Sequence, residues 1–351
     1  MKLPNRYTLS GTNNTGGMGD IYYCTDTHLQ REVVIKLLKA NEEQRRLFDE
    51  QKCLIQLRSK HVVQLYDVVD IEGRIGLVLE FIDGNDLQVS ECSGNETKLL
   101  ETLWQVSCGL ADIHESGIIH RDIKPNNIRR ANTGVVKVFD FGLSRKLDSA
   151  KTHSVIGTVG YMAPELWQQG QVVFTTAIDV YAFGVTALAL AGVNAPDALF
   201  QYPPLPVGNG WLQAELPNLD SAIVSIIEQC LSYSPLDRPS ISKVESLLRR
   251  YLLKDRHKGL LVMGTQVKEL NGTNRSSKIS FGSTGNIKDE ITIKYDGFDF
   301  NVVALAGDVT INNIIVNVGD LLPEASVITL GSGSGSRGFV TFDISNPEVV
   351  S

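Results

Sequence analysis

The sequence predicts an α+β fold with two lobes, a β-rich one and then an α-rich one, followed by a small all-β sandwich. Three observations predict it. Residues 7–84 are strand-rich with one helix, and from about Lys98 apolar residues repeat at helical spacing. Beyond about residue 254 the chain turns to short alternating strands separated by Gly, Asn and Ser.

In order, Thr8 to Cys24 reads as strands around a glycine hairpin, and Arg31 to Leu38 as a β-branched strand that carries a lysine. Glu42 to Leu57 has helical spacing, with Leu47, Leu54 and Leu57 able to share a face with Cys53. Val62–Val69 and Ile75–Phe81 read as two further strands. Leu99, Leu103, Val106, Leu110 and Ile113 then define a helix. Ala177 to Val193 is an apolar run of 17 residues with Asp179 near its start and no basic flanks. A membrane span needs about 20 apolar residues, so a helix buried in a lobe is expected there. A proline-rich connection at Tyr202–Pro206 precedes helices around Ile223–Leu231 and Ile241–Leu252. Lys254-Asp255-Arg256-His257-Lys258 reads as a charged linker, 254–262. Strands follow at Ile291–Tyr295, Phe298–Leu305, Val309–Val318, Val327–Leu330 and Phe339–Ile344, with a Gly/Ser turn at 331–336.

Length of 351 residues favours two domains, and 42% hydrophobic content is globular. Net charge of −7 argues against broad binding to nucleic acid or acidic membranes. The five cysteines are scattered with no CxxC pair, so neither a disulfide framework nor a zinc site is expected. They fit a reducing cytosol, and the opening residues carry no apolar signal segment, so a cytoplasmic location is expected.

The most informative stretch is His120-Arg121-Asp122-Ile123-Lys124-Pro125-Asn126-Asn127, followed 13 residues after Asn127 by Asp140-Phe141-Gly142. Either piece alone occurs by chance in surface loops; the order and spacing together are specific. Upstream, Asn14-Thr15-Gly16-Gly17-Met18-Gly19-Asp20-Ile21-Tyr22 is a glycine-rich hairpin, and Val33-Val34-Ile35-Lys36 places a lysine 17 residues after Gly19. On these motifs, residues 1–253 resemble a bacterial serine/threonine kinase of the eukaryotic-like (Hanks) family. The resemblance implies a bilobal protein kinase fold, with an N-lobe over about 1–80 and a C-lobe over about 85–253.

The resemblance also implies roles. Asp122 would accept the hydroxyl proton of the substrate, Lys124 would offset charge on the transferring phosphoryl group, and Asn127 and Asp140 would hold Mg2+. Lys36 would grip the α- and β-phosphates of ATP. Its ion-pair partner would be Glu50, with Glu42 and Glu43 as rivals nearer the helix start. Asn14, Gly16, Gly17, Gly19 and Ile21 would cover the phosphates, Val34 would roof the adenine, Leu79 would be the gatekeeper, and the backbone of Glu80 and Ile82 would bind the adenine edge. Glu165 would pair with Arg238, and Asp179 would hold the catalytic-loop backbone. Lys124 and Thr158 point to Ser/Thr rather than Tyr acceptors. Arg121 would bind a phosphate on the activation loop, with autophosphorylation at Thr152 or Ser154 as one reading and an unmodified polar loop, which also holds Ser149, as the other.

Three departures cluster at the nucleotide. Asn14 replaces the first glycine, Val34 replaces an alanine, and Arg129 stands where an aliphatic side chain normally lies under the adenine. Arg129 could stack on the base or swing to solvent, or Ile128 could form the floor instead. Residues 263–351 weakly resemble a forkhead-associated (FHA) domain, most in Gly307–Asn313 and Ser326–Gly331, but lack its GR and SxxH motifs; Phe281-Gly282-Ser283 stands roughly where the first would be. That leaves phosphothreonine-peptide binding, including the chain's own activation loop, beside substrate steering or homodimerisation. For the whole chain the alternatives are an active kinase acting on protein Ser/Thr hydroxyls, a pseudokinase or nucleotide-binding scaffold, and an interaction module driven by its last domain.

Overall fold

The computed structural model describes residues 3–11, 14–16, 19–37, 50–141, 144–146, 151–152, 158–167, 172–283, 286–331 and 336–345. Among them the chain divides into two units, Met1–Leu248 with Ser351, and Arg249–Val350.

The first unit opens with an antiparallel sheet. Strands β1 (Tyr7–Leu9), β2 (Asn14–Gly16), β3 (Gly19–Asp26), β4 (Arg31–Leu37), β5 (Leu65–Ile71) and β6 (Arg74–Glu80) follow in sequence. In space they lie in the order β1-β3-β4-β6-β5, with β2 also on β3. Strict alternation along β4 explains its two faces. Val33, Ile35 and Leu37 pack with Cys24, Tyr7, Ile71 and Val78 in a core. Val34 and Lys36 point the other way, opposite Leu79 and Leu77 of β6 and Tyr23 and Ile21 of β3. The helix α1 is described over residues 50–54. Leu57, assigned to that helix from its spacing, lies beyond the helical residues.

The α-rich lobe is built on α2 (Glu96–Glu115) and α3 (Ala177–Ala191). Asn95 caps α2 by accepting from the Lys98 amide, which satisfies one of the free first-turn donors. Helix α3 is apolar all round and is buried on nearly every side. No helix among the described residues is long and apolar enough to cross a membrane. Short strands β7 (Gly84–Asp86), β8 (Ile118–Ile119), β9 (Ile128–Ala131) and β10 (Val136–Val138) frame the catalytic stretch, and β7, β9 and β10 form one small sheet with β9 in the middle. Strands β11 (Arg145–Lys146), β12 (Lys151–Thr152) and β13 (Val172–Val173) come next, with β11 paired to β8 and β12 to β13. The lobe is completed by α4 (Leu212–Glu215), α5 (Ser221–Cys230) and α6 (Ile241–Leu252), and the boundary between units falls within α6.

The second unit is an all-β sandwich. Its strands are β14 (Gly259–Met263), β15 (Gln266–Leu270), β16 (Ser276–Ser283), β17 (Asn286–Tyr295), β18 (Phe300–Ala306), β19 (Val309–Ile311), β20 (Ile314–Ile315), β21 (Ala325–Leu330) and β22 (Gly338–Ile344). One sheet runs β15-β14-β22-β21-β19-β20 and the other β16-β17-β18. Between them Tyr295 and Phe300 stack at 4.6 Å, and Phe342 meets Phe300 edge-on at 5.3 Å. Two expectations are corrected here. The stretch read as a linker already contains the start of β14 at Gly259. Val309–Val318, read as one strand, folds back on itself because Asn312 and Asn313 take positive φ angles of 50° and 65°, a conformation asparagine tolerates.

Candidate active site

The face of the first sheet that carries Lys36 meets Asp140 of the Asp140-Phe141-Gly142 stretch. Its Nζ lies 3.0 Å from both carboxylate oxygens of Glu50 and 2.9 Å from Oδ1 of Asp140. Burial alone would favour the neutral amine, but the two carboxylates outweigh it and raise the Lys36 pKa, so the ammonium stays charged. Glu42 and Glu43, the rival partners, lie outside the described residues, as do Gly17, Gly142, Ser149 and Ser154. The glycine hairpin is described by its backbone: Asn14 pairs with Ile21, and Gly16 with Gly19.

The catalytic loop is held from below. Asp179 on α3 accepts from the backbone N–H of His120 and of Arg121, each at 2.8 Å, and from His114 Nε2 at 2.9 Å. Although Asp179 is fully buried, these donors, His114 first, hold its pKa below the ordinary value. His120 is buried against Phe141, with ring centroids 4.7 Å apart. Arg121 takes a φ of 74° and Asp140 a φ of 64°. Such strained backbone persists only where surroundings over-determine it. The Arg121 guanidinium lies 4.0 Å over the Phe174 ring.

Asp122 is held on three sides. Lys124 Nζ donates to its Oδ2 at 2.8 Å, Asn127 Nδ2 to Oδ2 at 2.8 Å, and the Thr158 hydroxyl to Oδ1 at 2.7 Å. Lys124 also reaches Thr158 Oγ1 at 2.6 Å, tying the catalytic loop to the end of the activation segment. Glu165 and Arg238 form a two-pronged pair at 2.7 and 2.8 Å, with Arg238 also bonded to the carbonyls of Ala177, Ser232 and Tyr233.

Asn127 and Asp140 offer oxygen ligands. Among the described residues no cluster of three or more His, Cys, Asp or Glu forms a self-sufficient metal cage. Two oxygen ligands suit Mg2+, which keeps waters and takes up phosphate oxygens rather than sitting in an all-protein cage. Hence the residues fit Mg2+ carried with a nucleotide.

Leu79 is almost buried, and Ile82 beyond it is buried as well. Glu80 accepts a 3.0 Å bond from Lys137 on β10. Arg129 does not hang free in solvent but is ion-paired. It sits opposite Asp86 on β7 and Lys137 on β10, while Ile128 faces the other way and is fully buried. Its Nε and a terminal nitrogen both reach Asp86 Oδ1, at 2.7 and 2.6 Å, and its guanidinium lies 5.2 Å from the Phe139 ring centroid. Asp86, Phe139 and His114 were missed in the sequence. Asp86 is six residues after Glu80 in a three-residue strand too short to show a period.

The family model for the protein kinase domain matches residues 14–248. A serine/threonine-protein kinase drp72 of Corynebacterium efficiens is 33% identical over 206 residues, 54% of this chain and 39% of that relative. The serine/threonine-protein kinase PrkC of Bacillus subtilis is 32% identical over 206 residues, 56% of this chain and 32% of its own length. Mouse serine/threonine-protein kinase Nek5 is 29% identical over 249 residues, 68% of this chain and 39% of its own. Thus the chain spans well under half the length of these curated relatives. With the family model covering most of the chain and the motif residues gathered in one cleft, this chain belongs to the protein kinase domain family, as a serine/threonine kinase domain of the bacterial Hanks type.

Proposed function

We propose that the chain is an ATP- and Mg2+-dependent protein kinase that transfers the γ-phosphoryl group to serine or threonine hydroxyls. The observation that carries this reading is Asp122, whose carboxylate is braced by Lys124, Asn127 and Thr158 at the mouth of a cleft that also holds the Lys36–Glu50 pair.

Each residue then has one task. Asp122 orients the acceptor hydroxyl and takes its proton. Thr158 and Lys124 fix the carboxylate so that little reorganisation is needed when the hydroxyl arrives. Lys124 offsets charge on the transferring group, and Lys36, kept cationic by Glu50, grips the α- and β-phosphates. Asn127 and Asp140 would hold the metal, which neutralises phosphate charge when bound. The Asn14–Gly19 hairpin and Ile21 cover the phosphates. Val34 and Leu79 bound the base, and the backbone of Glu80 and Ile82 reads its edge.

Protein Ser/Thr hydroxyls are the acceptors, and autophosphorylation at Thr152 or Ser154 is the nearest test case. The kinase domain is taken as residues 1–253 and the β domain as starting with β14 at Gly259, and the work is assigned to the cytoplasm. Substrate steering is the role proposed for the β domain.

The experiment is intact-mass measurement of phosphatase-stripped protein with Mg-ATP and a generic acceptor such as myelin basic protein, beside Asp122→Asn. Phosphate on wild-type chain or acceptor, with a loss of about a hundredfold or more in the variant, supports the reading. Equal labelling of both, or none of either, would overturn it.

A further inference from the structure

The two outer faces of the sandwich differ in chemistry. On the three-stranded sheet Lys278, Ser280, Glu290, Thr292 and Lys294 point outward, the polar surface that a solvated sheet face carries. On the six-stranded sheet the register aligns two uncharged rows instead. Val267, Val262, Thr341 and Val327 lie side by side across β15, β14, β22 and β21. Phe339, Thr329, Thr310 and Ile315 follow across β22, β21, β19 and β20. The alternate positions, among them Leu261, Ile328, Val340 and Phe342, fill the core, so both rows face outward. Phe339 is 57% exposed, Val267 61% and Ile315 77%. A contiguous apolar patch of this extent marks a contact surface.

Charges lie at the ends of the patch. Along β22 the outward column reads Arg337, Phe339, Thr341, Asp343. Glu269 joins Asp343 at the same end, the two lying on either side of Leu260. An apolar centre with a charged rim is the anatomy of a protein interface. A two-fold axis across β22, in the plane of contact, reverses that strand in a second copy. Arg337 of each copy then meets Asp343 of the other, while the uncharged rows meet each other. Six strands about 4.8 Å apart and seven residues of about 3.4 Å each span roughly 24 by 20 Å. With side-chain relief this approaches the roughly 800 Å2 per partner of a standard interface.

We propose that this face is the interface of a homodimer: two copies of the chain stack the six-stranded sheets of their sandwiches face to face, with the Arg337 and Asp343 ends exchanged. The proposal stands on the second unit alone and is independent of phosphoryl transfer.

The test is sedimentation velocity of the full chain from about 1 to 100 µM. The wild type should associate reversibly with a Kd on the order of micromolar, the weak end for an interface of this area. Val327→Lys buries an unpaired charge in the apolar centre and should weaken association about a hundredfold or more. Ser280→Lys adds the same charge to the outer face of the other sheet, beside Glu290, and should leave association within about twofold. Asp343→Arg sets like charges against each other and should weaken association about tenfold. Adding Arg337→Asp to it restores opposite charges and should bring the Kd back to within about threefold of wild type. Circular dichroism melts check that each variant is folded; Asp343 is exposed, so the charge exchange decides the matter if Val327→Lys does not fold. A wild type that stays monomeric across this range would overturn the proposal and leave the face to a different partner. So would a dimer that folded Val327→Lys does not weaken, because its copies join elsewhere. A double variant no tighter than Asp343→Arg alone would overturn the reversed stacking.

Discussion

At the scale of single residues, His120 links the site to pH. It is fully buried, and its Nε2 lies 3.1 Å from the Phe139 carbonyl while Nδ1 faces the Asp122 amide at 3.4 Å. The neutral ring with its proton on Nε2 serves both contacts, and a second proton would cost the acceptor. Burial accordingly holds the pKa of His120 below its ordinary 6.5, and that of His61 likewise. The unfolded chain takes up these protons near pH 6.5, before the folded one does. The stability they contribute is full above pH 6.5 and is lost as pH falls from there through the folded-state values. The loss is at most about 1.4 kcal/mol per pH unit for each histidine. Urea unfolding at pH 7.5 and 5.5 should show the first unit weaker at the lower pH, with a smaller drop in His120→Asn. An identical drop in that variant would remove His120 as the source. Legibility at this scale followed the motifs that carry the resemblance rather than sequence distance, since the resemblance also pairs Glu165 with Arg238, 73 residues apart. Lys36 and Glu50 are 14 residues apart and carry a strand-then-helix signature, so their pairing could be read. Asp86 and Arg129 are 43 apart and meet only because β7 lies on β9, a pairing no local pattern announces.

Elements are set by close approaches as much as by apolar periodicity. Helix α2 carries its stripe of Leu99, Leu103, Val106, Leu110 and Ile113, all buried, and that stripe was plain in the sequence. What the stripe did not show is Gly109. A Cβ there would lie 2.6 Å from the His61 carbonyl oxygen, while the His61 ring is itself tied to the Val136 carbonyl at 2.9 Å. Helix propensity alone favours alanine over glycine by about 1 kcal/mol. Here the collision should win, because the obstacle is backbone held by its own hydrogen bonds. Gly109→Ala is expected to destabilise the first unit by about 1–3 kcal/mol in chemical denaturation. A gain in stability would mean that α2 does not approach His61 this closely. The same limit on local patterns explains the β domain. The apolar alternation of Val309–Val318 argued for one strand, and only the backbone angles of Asn312 and Asn313 turn it into two. In β14, Gly259 packs against the rings of Phe300 and Phe342, neighbours far away in sequence, so the strand's start was hidden behind the charged residues before it.

At the scale of the whole molecule, two cores imply two sources of stability. The sheet-and-helix unit and the β sandwich each close their own apolar cluster, the latter around Ile291, Ile293, Tyr295, Phe300 and Phe342. The bilobal order was legible because each lobe has its own periodicity. The identity of the sandwich was not, because its strands follow the generic period of two and the loops lack the GR and SxxH residues that would distinguish a phosphothreonine reader. Ligand linkage separates the units without dissecting the chain. A nucleotide that binds the folded cleft stabilises only what unfolds with that cleft, by about 2.7 kcal/mol at a hundredfold excess over Kd. For a unit of roughly 250 residues each kcal/mol moves the midpoint by about 2–4 °C. Scanning calorimetry of the full chain should therefore resolve two transitions, of which Mg-ADP raises one by about 5–10 °C and leaves the other in place. One transition moving as a whole would show that the cores unfold together and that the sandwich takes part in the kinase unit's cooperativity. If a phosphothreonine peptide instead shifts the transition that Mg-ADP leaves in place, the sandwich binds phosphopeptides despite its missing motifs, and the substrate-steering role gains a ligand.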